Sequence, residues 1–183
     1  MEYISTRNTQ KIFSFEDVFL KGLAPDGGLF VPKKIPLYNS QELEKFRYLS
    51  YNKLATKIIL KFCSDEFNET EIKDLVNASY KNFRVKDVVA IKKLGKINLL
   101  ELFHGPTLAF KDIAMQVIGN MYEKILEKNN LRINIVVATS GDTGAAAINA
   151  IRDRKNMKRS NKQFEQQFLT SLLNSLLTYL LFY

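Results

Sequence analysis

Two stretches of this chain share one grammar and follow one another directly: an apolar run, a break of small or turn-forming residues, then an amphipathic run. In the first, Ile97-Asn98-Leu99-Leu100-Glu101-Leu102-Phe103 has strand length and composition, and Gly105-Pro106 stops it. Behind the stop, Phe110, Ile113, Ala114, Val117, Ile118, Met121 and Ile125 recur at helical spacing. Thr107 stands where an N-cap oxygen would accept a backbone N–H. In the second, Arg132 to Ala138 reads as a strand, breaks at Thr139-Ser140-Gly141-Asp142-Thr143-Gly144, and continues as an alanine-rich helix from Ala145 to Ile151. The resulting strand-helix-strand-helix order is that of a parallel sheet with crossover helices. It predicts both loops at the carboxyl edge of one sheet, where open α/β folds bind ligands.

Lys111 falls in the first turns of the first helix. A cation there faces the positive end of the macrodipole, which disfavours the ammonium form by roughly 0.3–1 kcal/mol. Packing against Phe103 or Phe110 would favour the neutral amine further, and a neutral lysine amine is the nucleophile that attacks a carbonyl carbon. Lysines in early helix turns are ordinarily just solvated, so this local argument becomes specific only beside the second loop. There, small residues at a helix N-terminus suit a carboxylate or phosphate oxygen.

Composition sets the limits of the reading. With 46% apolar residues among 183, the chain can build a packed core. Its single cysteine, Cys63, makes no internal disulfide, and with one histidine, His104, no zinc cluster is expected. Cys63 is expected as a small apolar core residue in a reduced, cytoplasmic protein. His104 either helps to shape the site beside Gly105 or is a satisfied structural histidine. The net charge of +8 is concentrated in residues 152–162, where Arg152, Arg154, Lys155, Lys158, Arg159 and Lys162 oppose only Asp153. The remainder is nearly balanced and has no basic face interleaved with aromatics, so no nucleic-acid partner is expected. Met1 to Phe13 lacks the pattern of a secretory signal.

The first 90 residues read as a mostly helical cap. Ser14 with Asp17 marks a helix start carrying Phe15, Val18 and Phe19. Pro25-Asp26-Gly27-Gly28 is a turn leading into Leu29-Phe30-Val31, stopped by Pro32. Ser40 and Ser50 are expected to cap short helices, and Asn68 with Glu71 a capping box for a helix running to about Phe83. Val88-Val89-Ala90-Ile91 is expected as a strand, followed by a basic turn over Lys92-Lys93-Leu94-Gly95-Lys96. No acid–base pair stands out, and this part is read as scaffold.

The phrase ELFHGPTLAFKD, ending on Lys111-Asp112, and the phrase ATSGDTGAAA after it resemble threonine synthase, a fold-type II pyridoxal-phosphate enzyme. YISTRN at the start and GLAPDGGLFVP after it are similar to that enzyme's N-terminal domain, so the likeness runs from Met1 to about Met157. It implies an α/β architecture: a helical N-terminal cap domain over residues 1–90, then over 91–157 the truncated start of a fold-type II, pyridoxal-phosphate-dependent parallel-sheet domain. It implies pyridoxal 5'-phosphate as cofactor, with Lys111 as its covalent anchor and catalytic group and Asp142 as a second cofactor contact. Ser140, Gly141 and Thr143 are implied as substrate contacts. Asp142 would repel a substrate carboxylate, so it is expected to cap the Ala145 N–H or to touch the cofactor hydroxyl. The implied reaction is conversion of O-phosphohomoserine and water to threonine and phosphate, a lyase-class step of amino-acid biosynthesis. The implied partner is that small molecule.

The likeness stops at residues 158–183. Residues 145–183 contain neither glycine nor proline, unlike a continuing α/β domain. Leu169, Leu172, Leu173, Leu176, Leu177, Leu180 and Leu181 instead form a helical stripe. Phe168 to Tyr183 is shorter than the roughly 20 residues that span a bilayer. The tail is read as unrelated sequence after a frameshift or truncation, and the chain alone as an inactive fragment. The alternative is a non-catalytic protein whose tail docks on a partner or a membrane surface.

Overall fold

The computed structural model describes residues 1–137, 139 and 141–159. The leucine stripe and Ser140 therefore lie outside the described residues.

Three helices of the N-terminal part start on reciprocal capping boxes, in which cap and third residue satisfy each other's backbone N–H. These are α1 (Phe15–Lys21) on Ser14 and Asp17, α2 (Ser40–Phe46) on Asn39 and Glu42, and α4 (Glu69–Tyr80) on Asn68 and Glu71. The cap expected at Ser40 thus sits one residue earlier, because Asn39 has Glu42 three residues on to complete the box. Ser50 precedes α3 (Tyr51–Cys63) with extended backbone but no side-chain cap bond. The helix expected to reach Phe83 ends at Tyr80.

Between these helices, β1 (Tyr3–Ser5) pairs antiparallel with β2 (Phe30–Pro32). Pairing brings the two early phrases together. The Ser5 hydroxyl donates to Asp26 Oδ1 at 2.7 Å, and the Gly28 N–H donates to the same oxygen at 2.9 Å. Those bonds, Ser5's first, hold the Asp26 carboxyl below the ordinary carboxylate range. A Cβ on Gly28 would stand 2.2 Å from Ser5 Oγ, so only glycine lets the strands close here.

The core joins α3 and α4 to α5 (Lys111–Lys128) through Cys63, Ile72, Val76, Tyr80, Met121 and Ile125. Cys63 is fully buried as expected, donating to Ile59 O, and burial pushes its thiol up to about 12. Val88, 1% exposed, closes this core at φ 65°, a costly conformation for a β-branched residue. The expected strand over 88–91 is therefore displaced to β3 (Ala90–Leu94).

The sheet topology departs from the expectation. β4 (Ile97–Glu101) pairs antiparallel with β3 in a hairpin, from Ala90↔Glu101 to Leu94↔Ile97. Lys92, Lys93 and Leu94 are strand, and the turn is only Gly95-Lys96, with Gly95 at φ 60° where a two-residue hairpin favours glycine. The parallel pair is instead β5 (Ile133–Ile135) with β6 (Met157–Arg159), connected by α6 (Asp142–Ile151). Strand–helix–strand order is right for that unit. For β4 it misled, because a strand before a helix pairs equally well backwards across a two-residue turn.

Candidate active site

β4 ends on a buried carboxylate. Glu101 is 6% exposed and accepts from Lys92 Nζ at 2.8 Å and from His104 Nε2 at 2.9 Å. A carboxylate only accepts, so Nε2 carries the hydrogen. The Lys92 bond is the chief cause holding the Glu101 carboxyl below its usual range, against burial and with help from His104. The His104 carbonyl accepts the Arg84 N–H at 2.9 Å, so this histidine is tied at ring and backbone.

The next turn is built around Asp112, which is fully buried. Its carboxylate accepts the Thr107 N–H at 2.8 Å and the Thr107 hydroxyl at 2.7 Å. A Cβ on Gly105 would meet Asp112 Cβ and Oδ2 at 2.4 Å, and Leu108 adopts φ 63° to complete the loop. Thr107 is thus a donor to Asp112, not the N-cap acceptor expected. α5 begins at Lys111 after Phe110, with no side-chain cap bond.

Lys111 is half-buried, with Nζ 4.6 Å from the centroid of the Phe110 ring. Phe110 and Phe103 are 55% and 50% exposed, so neither forms the dry wall expected around the amine. The Phe110 ring offers its face to the nitrogen.

In the second loop, the Gly144 and Ala145 N–H groups both donate to the Gly141 carbonyl, at 3.0 and 3.2 Å. The capping role expected of Asp142 is therefore taken by backbone. Asp142 is exposed as the first residue of α6, where its charge suits the helix dipole, and Thr143 beside it is half-buried. A Cβ on Gly144 would lie 2.0 Å from Thr139 Cγ2, so that methyl occupies the space glycine leaves.

Packing of α5 on α6 relates the two loops. Gln116 Nε2 donates to Asn149 Oδ1 at 2.9 Å, Arg154 donates from its terminal nitrogen to Asn120 Oδ1 at 3.0 Å, and a Cβ on Gly119 would lie 2.6 Å from the Ala150 carbonyl oxygen. Every contact joins a residue of α5 to one 31 to 34 positions later, so the helices run in the same sense. Carried back along both helices, that offset sets Lys111 level with the first turn of α6, which begins at Asp142. Helix packing, and not a shared sheet edge, is what aligns the loops.

Several residues escaped the sequence reading. Asp112 looks like a dipole-complementing acid in a first turn, and nothing linear links it to Thr107. Glu101 alternates within a strand like any surface acid. Arg154 counts toward the basic stretch, yet it is half-buried and also donates to the Ala150 carbonyl at 2.6 Å.

Residues 2–80 match the family model described as the threonine synthase N terminus. Threonine synthase of Schizosaccharomyces pombe is 42% identical over 167 residues, covering 86% of this chain and 32% of that protein. Threonine synthase-like 2 of Xenopus laevis is 40% identical, covering 86% of this chain and 34% of its own length. Among solved structures, a pyridoxal-phosphate-bound threonine synthase from Brucella melitensis superposes with a TM-score of 0.83 at 39% identity, over 87% of this chain and 34% of that one. The chain spans about a third of the length of the relatives it matches, and that third is the N-terminal part of a threonine synthase.

Proposed function

We propose, from its place as the N-terminal third of a threonine synthase, that this chain supplies the lysine-bearing half of a pyridoxal-phosphate site for converting O-phosphohomoserine to threonine. The observation that supports this most is the alignment of Lys111 with the start of α6. An amine at an open helix start is the donor that a cofactor aldehyde requires, so the residues fit the reactive end of the group. The two loop glycines do not add a phosphate cradle, since Asp112 and Thr139 fill the space beside them.

Pyridoxal phosphate, when bound, supplies an electron sink for negative charge on the substrate carbons. Lys111 Nζ would hold the cofactor and would serve the substrate carbons as base and acid in turn. Thr143 and the Gly141 backbone, at the N-terminus of α6, with Ser140 next to them in sequence, bind the substrate carboxylate, where helix N–H groups favour an anion. Asp142 touches the cofactor rather than the carboxylate, which it would repel. Asp112 fixes the loop that delivers Lys111. With Phe103 and Phe110 open, this half alone excludes little water and orients substrate poorly. The compartment proposed is the reducing cytoplasm, consistent with the buried free thiol of Cys63.

Two measurements test this. Borohydride reduction with pyridoxal phosphate should label Lys111 ahead of the other lysines, and Lys111→Ala should abolish that label, together with turnover in any complete enzyme containing this part. Equal labelling of all lysines would refute the assignment. Phosphate release from phosphohomoserine by the purified chain should be negligible; measurable turnover would refute the half-site reading. The similarity to threonine synthase-like 2 supports a second reading, a paralogue acting on another phosphorylated amino acid, which substrate competition against Lys111 labelling distinguishes.

A further inference from the structure

Helix α6 is held from the end away from its loop. It starts after Gly141 with no side-chain cap, whereas beyond its last residue Asp153 adopts φ 61° and Arg154 Nε donates back to the Ala150 carbonyl at 2.6 Å. An arginine placed there meets an orphan helix carbonyl and the negative end of the dipole. The same carbonyl oxygen lies against Gly119 of α5. The terminal nitrogen of Arg154 donates to Asn120 Oδ1 at 3.0 Å, and Asn120 Nδ2 donates in turn to Ser79 Oγ and to the Gln116 carbonyl, both at 2.9 Å. Ser79, on α4, is 3% exposed and passes its own hydrogen to the Leu75 carbonyl at 2.7 Å. Guanidinium, amide and hydroxyl thus form one line of hydrogen bonds from the end of α6 through α5 into α4. Arg152 and Lys155 on either side are exposed, but Arg154 is half-buried, where burial opposes its charge and Glu123 favours it. A charge held out of water needs its partners, so what Arg154 binds sets its place.

We propose that Arg154 is a positioning residue for the reaction, and that Asn120 and Ser79 relay its hold, so that α4 of the N-terminal part helps to set where the start of α6 stands relative to Lys111. The role assigned rests on the catalytic reading above. The contacts that fix α6 on α5 fall at Asn149, Ala150 and the arginine beyond, all at its C-terminal end. A helix moves as a unit, so a displacement there reaches Asp142 and Thr143 at the other end of its 10 residues, roughly 15 Å away. Lys111 is carried by α5, which Met121 and Ile125 anchor separately in the core with α3 and α4. Losing Arg154 therefore shifts the α6 start relative to the lysine instead of moving the two together.

The test compares Arg154→Gln, Arg154→Lys and Ser79→Ala in the full chain, by amide hydrogen exchange and by borohydride labelling with pyridoxal phosphate. In Arg154→Gln the Gly144 and Ala145 amides should exchange about tenfold faster while those of Met121 and Ile125 keep their rates. The preference for labelling Lys111 over other lysines should fall at least about twofold, because Asp142 is displaced from the cofactor. Ser79 makes no hydrogen bond to α6 or Lys111 among the described residues, yet Ser79→Ala should move both readouts the same way by less. Arg154→Lys keeps the charge but loses the fork, so it should fall between glutamine and the original residue. Uniformly faster exchange would make Arg154 merely structural and overturn the proposal. So would unchanged rates at Gly144 and Ala145, an inert Ser79→Ala, or full rescue by lysine, which would show that charge alone suffices. If Arg154→Gln does not fold, Ser79→Ala decides by the same readouts. The two proposals fail separately. Preferential Lys111 labelling that Arg154→Gln leaves intact removes only the positioning role. Equal labelling of all lysines in the unsubstituted chain removes the catalytic reading, and the exchange rates still decide whether Arg154 holds the start of α6.

Discussion

Leu126 and Leu100 are the same residue in two different situations. Leu126, on α5, is fully buried, while Leu100, on β4, is half exposed within a hairpin of equally apolar neighbours. The helical region finds its partners within this chain: α3, α4 and α5 close on one another, and three capping boxes seal helix starts in the N-terminal part. In the other region, α5 and α6 begin without side-chain caps, and the hairpin β3–β4 has exposed apolar residues on both faces. A capping box satisfies terminal N–H groups with side chains, whereas at the starts of α5 and α6 the N–H groups of Asp112, Ile113, Gly144 and Ala145 turn back onto preceding carbonyls.

That contrast can be broken by substitution. Leu126→Ala should cost about 2–5 kcal/mol in urea unfolding, because a buried leucine leaves a cavity; a loss like that of a surface change would mean the core is loose. Asp112→Asn should cost about 1–3 kcal/mol, since one Thr107 donor then faces an amide NH₂ group. It should also slow Lys111 labelling relative to other lysines, which a merely structural loss would not do selectively. The Glu101 contribution has a definite sign. Its folded-state pKa lies below the unfolded value, so the stabilisation is present above the unfolded value and is lost as pH falls through the folded one. Acid should therefore release the hairpin base from His104 and Lys92, and Glu101→Gln should remove that pH step from amide exchange. Ile91→Ser should be the smallest change, within about 0.5 kcal/mol, because Ile91 is 70% exposed. A large loss there would show that the hairpin is already supported.

Local rules were legible wherever both partners were near in sequence. The boxes at Ser14/Asp17 and Asn68/Glu71, the buried Cys63 and the helical stripe of α5 all follow from spacings of three or four residues. The misreadings occur where the deciding partner is elsewhere. Thr107 looks like a cap until Asp112 is seen folded back over Gly105, and β4 looks parallel until its register with β3 is known. Arg154 looks solvated until Asn120 and Ala150 are found beside it.

The amino-acid sequence by itself determined the helix starts at Ser14/Asp17 and Asn68/Glu71, which residue types stand at the two loops, and that a lysine heads the helix after Gly105-Pro106. Those properties depend on contacts within a turn or two, which the backbone makes wherever the segment lies. Only the tertiary structure decided that Lys111 lies level with the first turn of α6, because that alignment is set by Gly119 admitting the Ala150 carbonyl and by Gln116 meeting Asn149. Close packing between distant segments has no periodic trace in the chain, and it is what brings two separate loops to the same end of a helix pair.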